Sequence, residues 1–130
     1  MAAIVGIGID VAEIERIRAA LERARTGARF RARVFTDGEQ AYCEAHGRTR
    51  FESYAARFAA KEAAMKALGC GWGGTVAWRD VEVVRPRGER PAIVLAGGAA
   101  AHAATLGVRW LHLTLTHTRE LAFAEVIAEG

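Results

Sequence analysis

The 130-residue sequence has few cysteines, few lysines and no long apolar run. Its two cysteines, Cys43 and Cys70, lie far apart without a CxxC pair, which is not the pattern of a disulfide scaffold or a cysteine zinc site. The longest apolar run, near Met1–Ile9, is much shorter than the ~18 residues of a membrane span, and no positively charged leader precedes it. We therefore expect a cytoplasmic protein with no membrane partner.

Among the 18 basic residues only Lys61 and Lys66 are lysines, and the formal net charge is +3. Apolar residues make up 52% of the chain and charged residues 25%, which excludes a disordered or collagen-like chain. The length is that of one domain with a core of its own, so residues 1–130 are predicted to form a single domain.

Seven arginines cluster between Arg16 and Arg33, where Glu22 is the only acid. Such a localised basic segment indicates an acidic partner, either a nucleic acid or an acidic protein. A solvated helix face is the simpler alternative, although few acids are interleaved for i,i+4 pairing. Phe30 is the only aromatic residue in the segment, which is too few for a platform that stacks single-stranded nucleic acid.

Hydrophobic periodicity predicts an α+β domain with a largely antiparallel sheet packed on a long central helix. The strongest helical pattern is the alanine-rich segment Glu52–Leu68, which Gly69 ends. The other expected elements are a buried strand at Ile4–Ile9, helices at Val11–Ala24, Ala28–Phe35 and Gly98–Leu106, a capping box of Thr36 and Glu39 that opens a further short helix, strands at Val81–Val84 and Ala92–Leu95, and a hairpin of Trp110–His117 and Leu121–Ile127.

Glu62 occupies a slot of the long helix where the pattern asks for an apolar residue. The apolar stripe of that helix runs through Phe51, Tyr54, Phe58 and Met65, and position 62 fills its one gap. Burying a carboxylate at a core position costs on the order of several kcal/mol unless it is paired or bound to a metal. Either Glu62 is functional, or it pairs with an arginine or faces water.

Asp10 follows two glycines on one face of the first strand, because Gly6, Gly8 and Asp10 alternate with larger apolar residues. The glycines leave room for something bulky against that face. A structural alternative is that Asp10 caps the next helix, with Glu13 completing a capping box. His117 likewise ends the apolar face of its strand, where a histidine is more often structural than catalytic.

Two carboxylates on separate elements, without a histidine or cysteine cluster, suit a hard cation. Mg²⁺ takes one or two carboxylates and completes its shell with water and phosphate oxygens. Arg57, Lys61 and Lys66 lie on the same helix as Glu62 and would surround a bound phosphate with positive charge. The residues alone thus predict a Mg²⁺-assisted phosphate-ester or pyrophosphate site.

Three segments carry a resemblance to a known family. The string GIGIDVAEIERI at residues 6–17 resembles the N-terminal signature of holo-[acyl-carrier-protein] synthases, the small 4'-phosphopantetheinyl transferases. RFAAKEAAMKALGCG at residues 57–71 resembles their second signature, and LTLTHT at residues 113–118 resembles the third. Met65, Cys70 and Thr116 depart from residues common in the family. The order and spacing match over nearly the whole chain, so the resemblance implies the 4'-phosphopantetheinyl transferase fold.

The resemblance implies transfer of 4'-phosphopantetheine from coenzyme A to a serine of apo acyl carrier protein, in fatty acid and lipid metabolism. Asp10 and Glu62 would hold Mg²⁺, and Lys61 would act at the phosphates as a third catalytic residue. The carrier serine would lose its proton to a metal-bound water or to a carboxylate. The positions that match coenzyme-binding residues of the family are Arg57, Lys66, Gly69, Gly71, Arg90, Pro91, Thr116 and His117.

The same resemblance implies a homotrimer with active sites between subunits. Arg16, Arg29 and Arg33 match family positions near the surface that docks the acidic carrier protein, which gives the arginine cluster a protein partner and no nucleic-acid partner. The alternatives are a non-enzymatic, basic nucleic-acid-binding module and a family member that has lost catalysis and acts as a scaffold. The presence of Asp10, Lys61 and Glu62 argues against the scaffold.

Overall fold

A three-stranded antiparallel sheet lies against one long helix, and the shorter helices surround the ends of that helix. The structure is a computed structural model that describes residues 2–130. In chain order its elements are β1 (Ile4–Glu13), α1 (Ile14–Glu22), α2 (Gly27–Val34), α3 (Asp37–Glu44), α4 (Arg50–Leu68), β2 (Val81–Val84), β3 (Ala92–Leu95), α5 (Gly97–Thr105), β4 (Trp110–His117) and β5 (Leu121–Glu129), with 3-10 turns at Gly47–Thr49 and Trp78–Asp80.

The main sheet has the order β1-β5-β4, and β2 and β3 form a separate hairpin. Every strand pair is antiparallel, which confirms the predicted α+β class with its antiparallel sheet on a central helix. Val126 on the middle strand pairs with Gly8 on one side and with Leu113 on the other, so these three residues share the face that packs on α4. The alanines of α4 and the small residues of β5 form most of the core.

Two glycines allow β1 to approach the backbone of α4. A methyl group on Gly8 would lie 1.9 Å from the carbonyl oxygen of Ala63, and one on Gly6 would lie 1.9 Å from that of Ala67. The sequence predicted that something bulky lies against these glycines. The long helix α4 occupies this space, because its alanine side chains are small enough to let the helix backbone reach the strand.

The other face of β1 is open in the single chain, contrary to the expected burial of the first strand. Ile7, Ile9 and Val11 are 59%, 56% and 47% exposed, and they alternate with the residues that contact α4. An apolar run predicts that a strand is buried, but it does not tell whether residues of the same chain or of another molecule bury it.

The first helix begins three residues later than predicted, because β1 continues to Glu13. Asp10 therefore lies within the strand, and the alternative that it caps α1 is wrong: Glu13 is the N-cap and makes no side-chain capping bond. The capping box of α3 is confirmed, since the Thr36 hydroxyl accepts from the amide of Glu39 while the Glu39 carboxylate accepts from the amide of Thr36.

The remaining predicted elements are found within a few residues of their expected bounds. Gly69 ends α4 in the left-handed conformation with φ +67°, which glycine adopts without strain. Within residues 2–130, no helix combines the length and the apolar character needed to cross a bilayer.

Candidate active site

Asp10, Glu62 and Lys66 form a charged cluster where β1 crosses α4. The Lys66 ammonium lies 3.0 Å from Asp10 Oδ1 and donates to the Ile9 carbonyl oxygen at 2.9 Å. Glu62 lies one turn before Lys66 on α4, so both side chains leave the same region of the helix. The strand and the helix thus bring Asp10 close to two residues that follow it by more than fifty positions.

The electrostatics of this cluster disfavour the charged form of one carboxylate. Burial raises the pKa of Glu62, and the negative charge of Asp10 raises it further. The Trp72 indole and the Lys66 ammonium oppose this rise and favour the ionised carboxylate. A cation placed between Asp10 and Glu62 would relieve the same repulsion.

The donor set of the cluster fits Mg²⁺. Carboxylate oxygens are hard ligands, and Mg²⁺ uses one or two of them together with water and phosphate oxygens. Among residues 2–130 no group of three or more histidine, cysteine, aspartate or glutamate side chains could hold a metal ion. Such a group is what a metal held by protein ligands alone would need, whereas two carboxylates suit a cation that is shared with a phosphorylated ligand.

Lys61 is not part of this cluster, although the sequence predicted that it contacts the phosphates. Its side chain is fully buried, and its ammonium lies 2.8 Å from Glu39 Oε1. The ammonium also donates to the carbonyl oxygens of Trp78 and Val81. We correct the expected role, because three acceptors already surround this ammonium and none of its side chain is exposed. Lys66 is the lysine beside the carboxylates.

A cavity of about 750 Å³ lies beside α4 and collects three of the predicted coenzyme-binding residues: Arg57, Thr116 and His117. The Arg57 guanidinium stacks over the ring of Tyr42 at 4.0 Å, and its buried Nε has no hydrogen-bond partner within the described chain. A buried donor of this kind is available to an anion. Two arginines that the sequence did not single out, Arg85 and Arg119, also line the cavity, which we call the basic cavity.

A second cleft of about 880 Å³ lies between α1, the start of α4 and the β4–β5 turn. Arginines and glutamates line it in similar numbers, among them Arg18, which is paired with Glu15 and Glu22. None of the predicted site residues lines this cleft, and its balanced charge gives no preference for an anion.

The other predicted coenzyme residues lie in two loops. Gly69 and Gly71 belong to the exposed segment that follows Lys66, so they adjoin the carboxylate cluster along the chain. Arg90 is exposed and Pro91 is half-buried in the turn between β2 and β3. That turn begins with Arg85, which faces the basic cavity. The structure thus places Arg90 and Pro91 near the cavity along the chain but gives them no contact with it.

The predicted carrier-docking arginines are exposed. Arg16 lies on α1, and Arg29 and Arg33 lie on α2. The salt bridges found within residues 2–130 involve none of the three, whereas Arg18 of the same cluster is paired with two glutamates. These three guanidinium groups are therefore available to an external acidic partner.

Comparison with known proteins agrees with this fold. Residues 6–123 match the family model described as the 4'-phosphopantetheinyl transferase superfamily. A holo-[acyl-carrier-protein] synthase of Solibacter usitatus (strain Ellin6076) is 49% identical over 127 residues, which are 98% of this chain and 99% of that protein.

Solved structures give the same result. The holo-(acyl-carrier-protein) synthase of Bacillus anthracis str. Ames, in complex with CoA (3',5'-ADP), has a TM-score of 0.78 and 34% identity, covering 98% of this chain and 97% of that one. The Helicobacter pylori holo-[acyl-carrier-protein] synthase in complex with coenzyme A has a TM-score of 0.80 and 27% identity, covering 94% and 98%.

The fold and these matches show that the chain is an enzyme that transfers a substituted phosphate group. Within that class, the chain belongs to the 4'-phosphopantetheinyl transferase superfamily. This membership does not favour the alternative of a non-enzymatic nucleic-acid-binding module.

Proposed function

We propose that the protein is a holo-[acyl-carrier-protein] synthase. It transfers 4'-phosphopantetheine from coenzyme A to a serine hydroxyl of apo acyl carrier protein. The serine oxygen forms a bond to the β-phosphorus of the coenzyme, the P–O bond to the α-phosphate breaks, and adenosine 3',5'-bisphosphate leaves. The observation that carries the proposal is the meeting of Asp10, Glu62 and Lys66 between β1 and α4, in a chain that matches the synthases over nearly its full length.

Asp10 and Glu62 would hold Mg²⁺, which supplies positive charge to the phosphate oxygens and the leaving group when it is bound. Lys66 adds a second positive charge from the chain itself, at an ammonium that is about half exposed and so accessible to a phosphate. Transfer of this kind depends mainly on positioning and charge neutralisation, and these three residues provide both. We assign to Lys66 the catalytic role that the sequence gave to Lys61.

The basic cavity is proposed to bind the phosphorylated nucleotide end of coenzyme A. Arg57 offers a buried donor without a protein partner, and Thr116 and His117 line the same space. Gly69 and Gly71, in the loop after α4, would let backbone approach the ligand closely. Arg90 and Pro91 would contact it from the β2–β3 turn.

The carrier protein is proposed to dock on Arg16, Arg29 and Arg33. These side chains are exposed, and they attract an acidic surface with a strength that falls as salt is added. The open apolar face of β1 supports a homotrimer whose active sites lie between subunits, because assembly would cover that face. We place the reaction in the cytoplasm, in the supply of carrier proteins for fatty acid synthesis.

Mass spectrometry of an apo carrier protein, incubated with the enzyme and coenzyme A, tests the function. We expect one added 4'-phosphopantetheine group in the presence of Mg²⁺ and none when Mg²⁺ is chelated. Asp10→Asn and Glu62→Gln should each lower kcat/KM by ~100-fold or more, because each removes a negatively charged oxygen ligand from the proposed Mg²⁺ site.

The control is Glu120→Gln, which changes an exposed glutamate outside the cluster and should leave the rate unchanged. Far-UV circular dichroism verifies that every variant is folded. Full activity of folded Asp10→Asn or Glu62→Gln would refute the metal assignment. A wild-type protein that modifies no carrier protein would refute the function.

A further inference from the structure

The interior of the protein contains a fully buried ion pair that the proposed mechanism does not use. Lys61 Nζ lies 2.8 Å from Glu39 Oε1, and neither side chain is exposed. The second oxygen of Glu39 accepts from the amide of Val83 at 2.8 Å, and Oε1 also accepts from the amide of Thr36 at 2.9 Å. Both charges are thus completely satisfied by fixed partners.

Stability alone does not account for such a pair. Both charged groups are fully withdrawn from water, which is costly for each of them, and their mutual attraction offsets this cost. Buried ion pairs are often no more stable than apolar residues of the same volume. The inward positions of α4 around Lys61 are alanines, so packing there is already achieved by apolar residues. The pair instead fixes the relative orientation of the segments that it joins, because each of its hydrogen bonds holds one segment against another.

Three segments meet at the ammonium of Lys61. Glu39 belongs to α3, Lys61 belongs to α4, and the carbonyl oxygens of Trp78 and Val81 belong to the 3-10 turn and the start of β2. Val83, which donates to Glu39, extends the connection along β2. The pair therefore connects α4 to α3 and to the start of β2.

Lys61 is adjacent to Glu62, and consecutive residues of a helix point about 100° apart. Fixing Lys61 toward α3 and β2 therefore leaves Glu62 on the flank of α4 that looks toward Asp10. The turn that Lys61 holds also carries Trp78, whose ring stacks on Trp72 with centroids 3.8 Å apart and planes 16° apart. Trp72 lies in the loop that follows α4, the helix that carries Glu62 and Lys66.

Taking the proposed transferase activity as its basis, we infer that Lys61 is a positioning residue. Its bonds to Glu39 and to the Trp78 and Val81 carbonyl oxygens set the rotation of α4 and the place of the Trp72 loop. Through them Lys61 orients Glu62 and Lys66 toward Asp10, without touching substrate or metal.

The test separates positioning from stability with a double variant, Glu39→Gln with Lys61→Met. This variant removes both buried charges and keeps the side-chain volume; the glutamine oxygen accepts from the amide of Thr36, but the glutamine NH₂ group cannot accept from the amide of Val83. We expect a moderate fall in melting temperature from the lost hydrogen bonds to Val83 and to the carbonyl oxygens of Trp78 and Val81, without the larger fall that an uncompensated buried charge would cause. We expect kcat at saturating substrates to fall at least tenfold, with the KM for coenzyme A changed less than threefold.

Two single variants serve as references. Tyr54→Phe removes a part-buried hydrogen bond of α4, from the Tyr54 hydroxyl to Glu44 Oε2 at 2.7 Å, and should lower stability while kcat is kept. Glu39→Gln alone leaves Lys61 its two carbonyl partners and a glutamine oxygen, so it should lower the melting temperature and keep kcat within threefold. If the double variant does not fold, the comparison of Glu39→Gln with Lys61→Met decides: equal losses of kcat would overturn the inference.

A spectroscopic measurement gives a readout that does not depend on activity. The Trp72–Trp78 stack should produce a near-UV circular dichroism band, and the double variant should lose most of it because the Trp78 carbonyl is no longer held. A double variant with the wild-type kcat and the wild-type band would overturn the positioning role. If the wild type modifies no carrier protein, the proposed function fails, while the band still decides whether Lys61 orders the loop.

Discussion

Glu62 lies half-buried on α4 beside the carboxylate of Asp10, and its charged form is disfavoured there. Burial and the Asp10 charge both raise the pKa of Glu62 above its ordinary value of 4.5. Below pH 4.5 the carboxyl is protonated in the folded and unfolded chains alike, so it contributes no pH dependence. As the pH rises above 4.5, the unfolded chain releases this proton first, which lowers the free energy of unfolding.

We therefore expect Glu62→Gln to raise the melting temperature of the metal-free protein at pH 7 while it abolishes transfer. The increase should vanish below pH 4.5, because the wild-type carboxyl is then neutral as well. Differential scanning calorimetry of both proteins in a chelating buffer measures this difference. A variant that is less stable than the wild type at pH 7 would show that Glu62 is a structural partner and not a strained site residue.

The sequence predicted the two carboxylates that the structure brings near each other, but it named Lys61 as the catalytic lysine, whereas Lys66 is the lysine beside Asp10. Lys61 and Lys66 both lie close to Glu62 along one helix, at positions i−1 and i+4, and either could reach a phosphate. Only the tertiary structure shows that α3 supplies a buried carboxylate to one of them. Glu39 carried a signal in its capping box with Thr36, but a capping glutamate is ordinarily exposed, so its second role as a counter-ion was not predicted.

At the scale of elements, the site depends on how closely β1 approaches α4. The two glycines of β1 put strand backbone against helix backbone, and Asp10 follows them on the same face. Any side chain at these positions would push the strand away from the helix that carries Glu62 and Lys66. The spacing between the carboxylates is thus set by the absence of two Cβ atoms.

We expect Gly8→Ala to destabilise the fold by ~1–3 kcal/mol or more, since its methyl group would meet the Ala63 carbonyl oxygen at 1.9 Å. Gly71→Ala is the matched control for stability, because no heavy atom lies within 4 Å of a methyl group there. Urea unfolding measures both variants. Equal midpoints for the two would contradict the close approach of strand and helix.

Periodicity predicted the shorter helices and the later strands well, because their more and less exposed residues recur with the period of the helix or the strand. It placed the boundary of β1 and α1 wrongly, since Val11 fits the alternation of the strand and also the 3.6-residue spacing of the helix. Asp10 was ambiguous for the same reason: a D-x-x-E pattern is equally compatible with a cap and with a strand end. Strand pairing with β5 as far as Glu13 decides the matter, and such long-range pairing leaves no local signal.

At the scale of the whole molecule, β1 presents an exposed apolar face. Ile7, Ile9 and Val11 form this face, and their partners on β5 are the half-buried Ile127, the exposed Glu125 and the half-buried Phe123. The sequence predicted that the first strand is buried, and burial would be achieved in an assembly.

We expect the wild type to elute as a trimer in size-exclusion chromatography with light scattering, and Ile9→Asp to elute as a monomer, because a buried unpaired charge is costly. Transfer activity should be lost with assembly if the sites lie between subunits. Val94→Asp is the control, since Val94 is also exposed (50%) but lies on the separate β2–β3 hairpin. A monomeric wild type, or an Ile9→Asp variant that remains trimeric, would contradict the role of this face.

The burial of Lys61 has a practical consequence for handling the protein. Of its two lysine side chains, one is wholly enclosed and the other, Lys66, is 54% exposed beside Asp10. Apart from the terminal amine, amine-reactive dyes, cross-linkers and sensor surfaces therefore have Lys66 as their one accessible target. Coupling through lysine would block the site under study, whereas the same selectivity makes Lys66 a single, addressable position for an affinity label or for footprinting with bound coenzyme.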